Sequence, residues 1–437
     1  MIGSQIRRRA AQVIAPGIAR VAEEVVAALN ADSTTAAPAA LDRICAEATA
    51  QVPFYQRLGA EDFSGMPVVN KAMMQERPED FRSTAVDPKK LSSTTTSGST
   101  GTPFRAWFDP VKVTRHRGQL AGSYQYLGVD PFGWFVHSRA WSHVSPALRM
   151  RYALKGQYLY AGERDPATVA AVAQWMTRHP GVTLMGYSSY IEDLLHGLEA
   201  GGFTFPAGTV GTVMGGSEPS TSYLATGSQR LFGVTPHMRY ANMELGVMAV
   251  TGPDLTAYRI DTSSFHVEVL EEDSDTPAAP GRVGRVVVTD LFNTAMPFIR
   301  YDTGDLARFA VNDSGQPVPN VLTELSGRRF DILVAGTPQA PRRASALLLP
   351  DDQILEAGPI RQFQLRQTGV GRFTWLLNAE PADGMEPVLR GILDDVVGDI
   401  VECRFVYTEE IPMMNSGKRK LFVNEMADIE TVLATAD

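Results

Sequence analysis

The stretch between Gly133 and Gly216 restricts the fold more than any other part of the chain. Three short apolar runs occur there: Gly133 to Trp141, Val182 to Met185 and Val210 to Met214. Segments with helical periodicity, Ala167 to Arg178 and Tyr190 to Leu198, separate them. Gly181, Gly186, Gly215 and Gly216 punctuate the runs. Apolar runs of this length suit strands buried on both faces, and their alternation with helices implies a largely parallel sheet covered by helices.

The flanking texture differs. ADSTTAAPAA (Ala31 to Ala40) reads as a break after a first helix, and Lys112 to Leu127 reads as a second long helix. Beyond about residue 245 the chain turns β-rich, with Val247 to Val250, Phe265 to Leu270 and Val283 to Thr289 as strands. SDTPAAPGRVG is a plain loop between two of them. From Gly327 onward, Phe363 to Arg366 and Phe373 to Leu377 flank TGVG as a hairpin; a helix over Pro387 to Val397 and a strand over Val401 to Tyr407 follow. The expected fold class is α/β. A large N-terminal domain over residues 1–326 combines parallel-sheet subdomains with a β-rich subdomain. A small mobile C-terminal α+β domain covers residues 327–437, with the boundary near SGRRFD.

Composition narrows the class of partner. The chain of 437 residues carries a net charge of −9 with both signs interspersed, which argues against nucleic acid or an anionic membrane. Its two cysteines, Cys45 and Cys403, form no CxxC or Cys/His cluster, so no zinc site is expected and a reducing compartment is. The N-terminus begins with basic residues and is interrupted by Glu23 and Glu24, which reads as a surface helix rather than a signal peptide. No stretch approaches the ~18 apolar residues of a membrane span. The expected location is cytoplasmic, with a homodimer left open.

SSTTTSGSTGTPF, Ser92 to Phe104, reads as a tether or as a phosphate loop. Glycines let backbone N–H groups converge on one anion, and hydroxyls add donors. No GK[ST] follows, so this is not a Walker A loop. FIRYDTGDLARF, Phe298 to Phe309, sets Asp302 and Asp305 around Gly304, where a carboxylate on a tight turn can accept two ribose hydroxyls. The competing reading is a turn with surface acids. In RYANMELG, Arg239 to Gly246, Tyr240 can stack on a base and Glu244 can help hold magnesium; a core tyrosine and a solvated glutamate are the alternatives. In EIPMMNSGKRKLF, Lys418 can reach a phosphate and an attacking carboxylate, or belong to a basic surface tail.

The order of these motifs, with GGSEP and GRxxD between them, resembles the adenylate-forming superfamily. That superfamily includes acyl-CoA synthetases and adenylation domains. PFYQRL (Pro53 to Leu58), MPVVNKAMM (Met66 to Met74) and TDLFNTAMPFIRYDTGDLA resemble its phenylacetate–CoA ligase and coenzyme F390 synthetase-like branch. The resemblance runs from about residue 50 to 425. It implies that Thr96, Ser97, Gly98, Ser99, Thr100 and Gly101 wrap the β- and γ-phosphates of ATP. Gly216, Ser217, Glu218 and Pro219 would line the adenine and Tyr240 would stack on it. Glu244 would help coordinate Mg2+, and Asp305 would bind the ribose. Arg328 would sit near the ribose or the hinge, with Asp331 near the pivot. Lys418 would drive adenylation, with Thr100 and Glu244 as further catalytic residues.

The implied reaction joins a carboxylic acid to ATP as acyl-AMP with release of pyrophosphate, then passes the acyl group to coenzyme A. Trp141, His143, Tyr187, Met214 and Met243 are the candidate acid-pocket residues by position, suiting an aromatic or medium apolar acid. For Met214 and Met243 ordinary core is the stronger reading. Three departures from the family pattern stand out. Pro103 is followed by Phe104 and Arg105 instead of lysine, with Arg105 the candidate substitute cation; Ala241 and Phe330 replace a glycine and an aspartate. The alternatives are transfer to a carrier-protein thiol or an amine, nitrite activation for an arylamine, and a non-catalytic nucleotide-binding relative.

Overall fold

A computed structural model describes residues 15–32, 35–60, 62–96, 104–138, 146–160, 165–217, 220–252, 256–326, 332–345, 349–398, 400–412 and 420–426. Its strands in chain order are β1 Val69–Asn70, β2 Ser92–Thr96, β3 Phe104–Phe108, β4 Phe135–Ser138, β5 Gln157–Tyr160, β6 Val182–Gly186 and β7 Val210–Gly216. They continue with β8 His237–Asn242, β9 Gly246–Thr251, β10 Tyr258–Ile260, β11 Phe265–Leu270, β12 Gly284–Asp290, β13 Tyr301–Val311 and β14 Pro317–Ser326. The C-terminal segment adds β15 Ile332–Thr337, β16 Ala340–Ser345, β17 Gln362–Gly369, β18 Arg372–Asn378, β19 Glu402–Tyr407 and β20 Phe422–Asn424.

One large sheet runs in the order β11-β12-β13-β14-β10-β9-β8-β7-β6-β4-β5, with β1 added to β13. Its β5-β4-β6-β7-β8 half is parallel, as the Gly133–Gly216 alternation implies. The rest is antiparallel apart from the β1–β13 pair. The expected helices form over Pro166–Arg178 and Ser188–Ala200, each opening close to its predicted start. Asp165 accepts the N–H of Thr168 and caps the first of them, with Pro166 at the first helical position where its missing N–H costs nothing. Val136, Val172, Leu184, Leu194, Leu198 and Val213 are buried between sheet and helices.

The helix Pro16–Asn30 is more than the surface helix expected. Val21, Ala22, Val25 and Leu29 are buried along one of its sides. It lies against the helix Pro110–Tyr126, whose Gly118 and Gly122 leave no room for a side chain. A Cβ on Gly122 would stand 2.7 Å from Val25 Cβ and 2.8 Å from the carbonyl oxygen of Ala22. The two backbones approach this closely because both positions are glycine. Pro38 to Ala40, read as part of a break, instead open the helix Pro38–Gln51.

The C-terminal segment buries its own core, with Leu333, Phe363, Trp375, Leu389 and Leu393 among its members. β17 and β18 form the expected hairpin, and the four-stranded sheet runs β19-β18-β17-β20. The segment meets the helix Ser188–Ala200 through polar groups. Ser189, Glu192, Asp193 and His196 recur at helical spacing along one side of that helix. Nε2 of Gln362 donates to Oδ1 of Asp193 at 2.6 Å with both residues buried. Ser189, Glu192 and Thr221 line a small cavity with Arg361, Gln362, Ile411 and Lys420. Among the described residues no helix is long and apolar enough to cross a membrane.

Candidate active site

β2 and β3 pair antiparallel with Thr96 opposite Phe104. The Ser/Thr/Gly stretch therefore leaves and re-enters one hairpin, which is not how a tether between two bodies is attached. Ser97, Gly98, Ser99, Thr100 and Gly101 lie outside the described residues, as do Glu218, Pro219, Arg328, Asp331, Lys418, Trp141 and His143. Thr96 is described only by its backbone position at the end of β2.

Phe104 turns inward and is buried, while the exposed Arg105 places its guanidinium over the Trp107 ring at 5.6 Å. Successive strand residues face opposite ways, so these two cannot serve the same side of the hairpin. The cation beside Phe104 is instead Lys71, whose Nζ lies 5.4 Å from the ring centroid. Lys71 follows β1, which pairs with β13 so that Asn70 stands opposite Asp302. Its Nζ is also 3.3 Å from Oε1 of Glu244, a largely buried carboxylate. Lys71 was visible only as part of the MPVVNKAMM stretch. Nothing in local spacing marked it as a site residue.

Glu244 stands on the turn between β8 and β9, and that turn is held from beneath. Asn242 Oδ1 accepts the N–H of Leu245 at 2.7 Å. Lys112 Nζ donates to the Leu245 carbonyl at 2.8 Å, and His116 Nε2 lies 2.9 Å from the same oxygen. A carbonyl can only accept, so Nε2 carries the proton. Burial, reinforced by the nearby Lys112 charge, pushes His116 down to about 4 and keeps the ring neutral. Lys112 is fully buried and ion-paired with the equally buried Asp290 at 2.5 Å. Burial depresses Lys112, and the Asp290 carboxylate opposes that shift.

The TGD segment is not a turn. It is an irregularity inside the continuous strand β13, with Gly304 at φ 76° and a register shift against β12. Its two acids also part company. Asp302 accepts from Arg285 Nη1 at 2.8 Å and from the Gly304 N–H, so it braces the strand. Asp305 accepts the hydroxyl of Tyr240 at 2.7 Å, and Thr303 Oγ1 lies 3.1 Å from the same phenol oxygen. Burial, with the Asp305 charge beside it, holds the Tyr240 phenol well above its ordinary value, so it stays protonated and donates. β7 brings Gly216 opposite Arg239, next to Tyr240, and is followed by Ser217 in the left-handed region at φ 69°. A non-glycine residue held there is strained, and such residues gather at functional sites.

Three of the acid-pocket candidates lie among the described residues. Met214 is packed among Met185, Phe135 and Val250, Met243 is exposed, and Tyr187 precedes the helix Ser188–Ala200 with its ring 5.8 Å from Tyr190. Neither cysteine is an activated nucleophile. Burial, with Asp42 and Asp62 nearby, pushes the Cys45 thiol up to about 11, and burial raises Cys403 as well. Among the described residues no cluster of three metal-ligating side chains exists.

A comparison with protein-family models finds no match. A phenylacetate–coenzyme A ligase of Thermus thermophilus is 25% identical over 389 residues, covering 83% of both chains. A phenylacetate–coenzyme A ligase of Escherichia coli is 26% identical over 260 residues, covering 54% of this chain and 55% of that one. Among solved structures, 2-hydroxyisobutyryl-CoA ligase in its postadenylation state, in complex with R3-HIB-AMP, superposes with a TM-score of 0.66 at 16% identity. That match covers 91% of this chain and 89% of that one. The chain has the fold of the adenylate-forming acyl-CoA ligase superfamily. Its sequence is similar to those of the two phenylacetate–coenzyme A ligases.

Proposed function

We propose that this chain is an AMP-forming acid–thiol ligase acting on a carboxylic acid, ATP and coenzyme A. The observation that supports it best is a set of contacts between remote motifs. Phe104 and Glu244 both meet Lys71, and Tyr240, on the strand that leads into the Glu244 turn, bonds Asp305. The names of the two sequence relatives point the same way.

In this reading a carboxylate oxygen attacks the α-phosphorus, and the bond to the β-phosphate oxygen breaks as pyrophosphate leaves. Asp305 holds the ribose and the Tyr240 ring supports the base. The Ser92–Phe104 hairpin and Lys71 hold the departing phosphates. Lys418 neutralises charge as it develops between the α-phosphate and the acid. Glu244 fits a magnesium site of the minimal kind, in which one carboxylate works beside substrate phosphates. The ion would supply charge neutralisation on those phosphates. The thiol sulfur then attacks the acyl carbonyl and AMP leaves.

The two-domain division near residue 327 belongs to this proposal, and the separate C-terminal core supports it. So does a cytoplasmic location, supported by two free cysteines. The acid in this reading is aromatic or medium apolar, and the relatives' name, phenylacetate–coenzyme A ligase, supports the aromatic choice. The test is pyrophosphate release with ATP, magnesium and a panel of aryl, aliphatic and amino acids, with and without coenzyme A. Release that rises with coenzyme A supports the ligase. Release indifferent to it moves the acceptor to a carrier-protein thiol or an amine. No release with any acid removes the proposal.

A further inference from the structure

Tyr240 and Asp305 are far apart along the sheet. Between β8 and β13 lie β9, β10 and β14, so four inter-strand steps separate them. On a flat sheet, at ~4.8 Å per step, that is roughly 19 Å. The phenol oxygen and the carboxylate are nevertheless 2.7 Å apart. The sheet therefore curls between β8 and β13 until these two strands face each other, and the Tyr240 hydroxyl closes the gap.

The bond has a direction. Thr303 Oγ1 donates to the Val286 carbonyl at 2.9 Å and accepts the Asp305 N–H at 3.2 Å. The phenol proton is therefore directed to Oδ2 of Asp305, its shorter and charged contact. A carboxylate on a short side chain turns readily about its last bond, and a proton fixed on one oxygen stops that turning. Two acceptor oxygens then keep a set orientation towards a vicinal diol. The β7–β8 pairing sets Gly216 opposite Arg239, the residue before Tyr240, so the strand beside the base-lining segment carries the hydroxyl that bonds the ribose carboxylate.

We propose that the hydroxyl of Tyr240 is a positioning group for Asp305, and that it sets the preference of the site for a ribonucleotide over a deoxynucleotide. This rests on the assignment of Asp305 to the ribose. It adds a role for the phenol oxygen distinct from any stacking by the ring.

The test is calorimetric binding of ATP, 2′-deoxy-ATP and 3′-deoxy-ATP to the full chain and to Tyr240→Phe, Asp305→Ala and the double variant. Wild type is expected to favour ATP by roughly 10- to 100-fold, the range of hydrogen bonds to a charged group. Tyr240→Phe keeps the ring and should lower that preference at least threefold, mainly by weakening ATP while the deoxynucleotides bind as before. The double variant should bind like Asp305→Ala alone. A Tyr240→Phe chain that weakens all three nucleotides equally, or none, overturns the inference. Pyrophosphate release on the same samples separates the two readings. Wild type that turns over yet binds the three nucleotides alike overturns the inference alone. Wild type that shows the preference without turnover supports the inference and counts against the ligase assignment. Wild type that binds no nucleotide overturns both.

Discussion

Nζ of Lys71 lies 3.3 Å from Oε1 of Glu244, across 173 residues of sequence. The lysine comes from the short helix after β1 and the glutamate from the β8–β9 turn. The pair joins an N-terminal element to the β8–β9 turn of the proposed nucleotide site, with Phe104 of the Ser/Thr/Gly hairpin against the same ammonium. The loop's missing terminal lysine is thus matched by a lysine from elsewhere in the chain.

Replacing Lys71 with alanine should lower the rate of pyrophosphate release by roughly 100- to 1,000-fold, the usual scale for one preorganised donor at a reacting centre. Its side chain is partly exposed, so the melting temperature should hardly move. Arg105→Ala should leave the rate near wild type. Equal losses from both variants would return the phosphate contact to Arg105.

Lys418→Ala should abolish acyl-AMP formation and leave ATP binding largely intact, whereas Asp305→Ala should weaken ATP binding itself. Pyrophosphate exchange and calorimetry on the two variants separate these effects. Normal turnover by both would sink the site.

The imidazole of His116 is buried neutral at about 4, between Lys112, Asp290 and the Leu245 carbonyl, and His196 is held at about 4 by burial, which outweighs the opposing charges of Asp193 and Glu199. In the unfolded chain both would protonate near ~6.5. Between those values the unfolded state binds more protons, so stability falls as pH drops from ~6.5 towards 4 and levels off below it. Each histidine accounts for on the order of 3 kcal/mol across that window. Thermal melts from pH 7.5 to 4 should show the slope. His116→Gln, which still donates to Leu245, should flatten part of it. An unchanged profile would show that His116 does not carry the acid sensitivity.

Asp193→Ala and Gln362→Ala each remove one side of a charge-assisted hydrogen bond worth about 1.5–3 kcal/mol. Limited proteolysis between residues 326 and 332 should speed up in either variant, while the large sheet keeps its melting temperature. Cleavage at the wild-type rate would show that the contact does not hold the C-terminal segment in place.

The parallel half of the sheet was legible because Val182 to Met185 and Val210 to Met214 are apolar on both faces and bounded by glycine. Tyr240, Glu244 and Asp305 were legible as motif residues, but their contacts were not. The Tyr240–Asp305 bond depends on sheet curl, a property of many strands together that no local window carries. Asp302 and Asp305 look equivalent in sequence and diverge only because Arg285 arrives from β12. The packing face of the helix Pro16–Asn30 was missed because its partner glycines, Gly118 and Gly122, lie about 100 residues away in an apparently ordinary helix.

On the side of the helix Ser188–Ala200, the seam with β17 presents Ser189, Glu192, Asp193 and His196, and Gln362 of β17 bonds Asp193 beside Phe363, Ile411 and Leu421. An apolar seam would expose greasy surface whenever it opened and would pull itself shut. Here each parting donor and acceptor finds a water molecule waiting, and the exchange is nearly even. In the proposed two-domain reading, a joint with this many polar partners can part and re-form with less apolar surface left bare than a seam of leucines would leave.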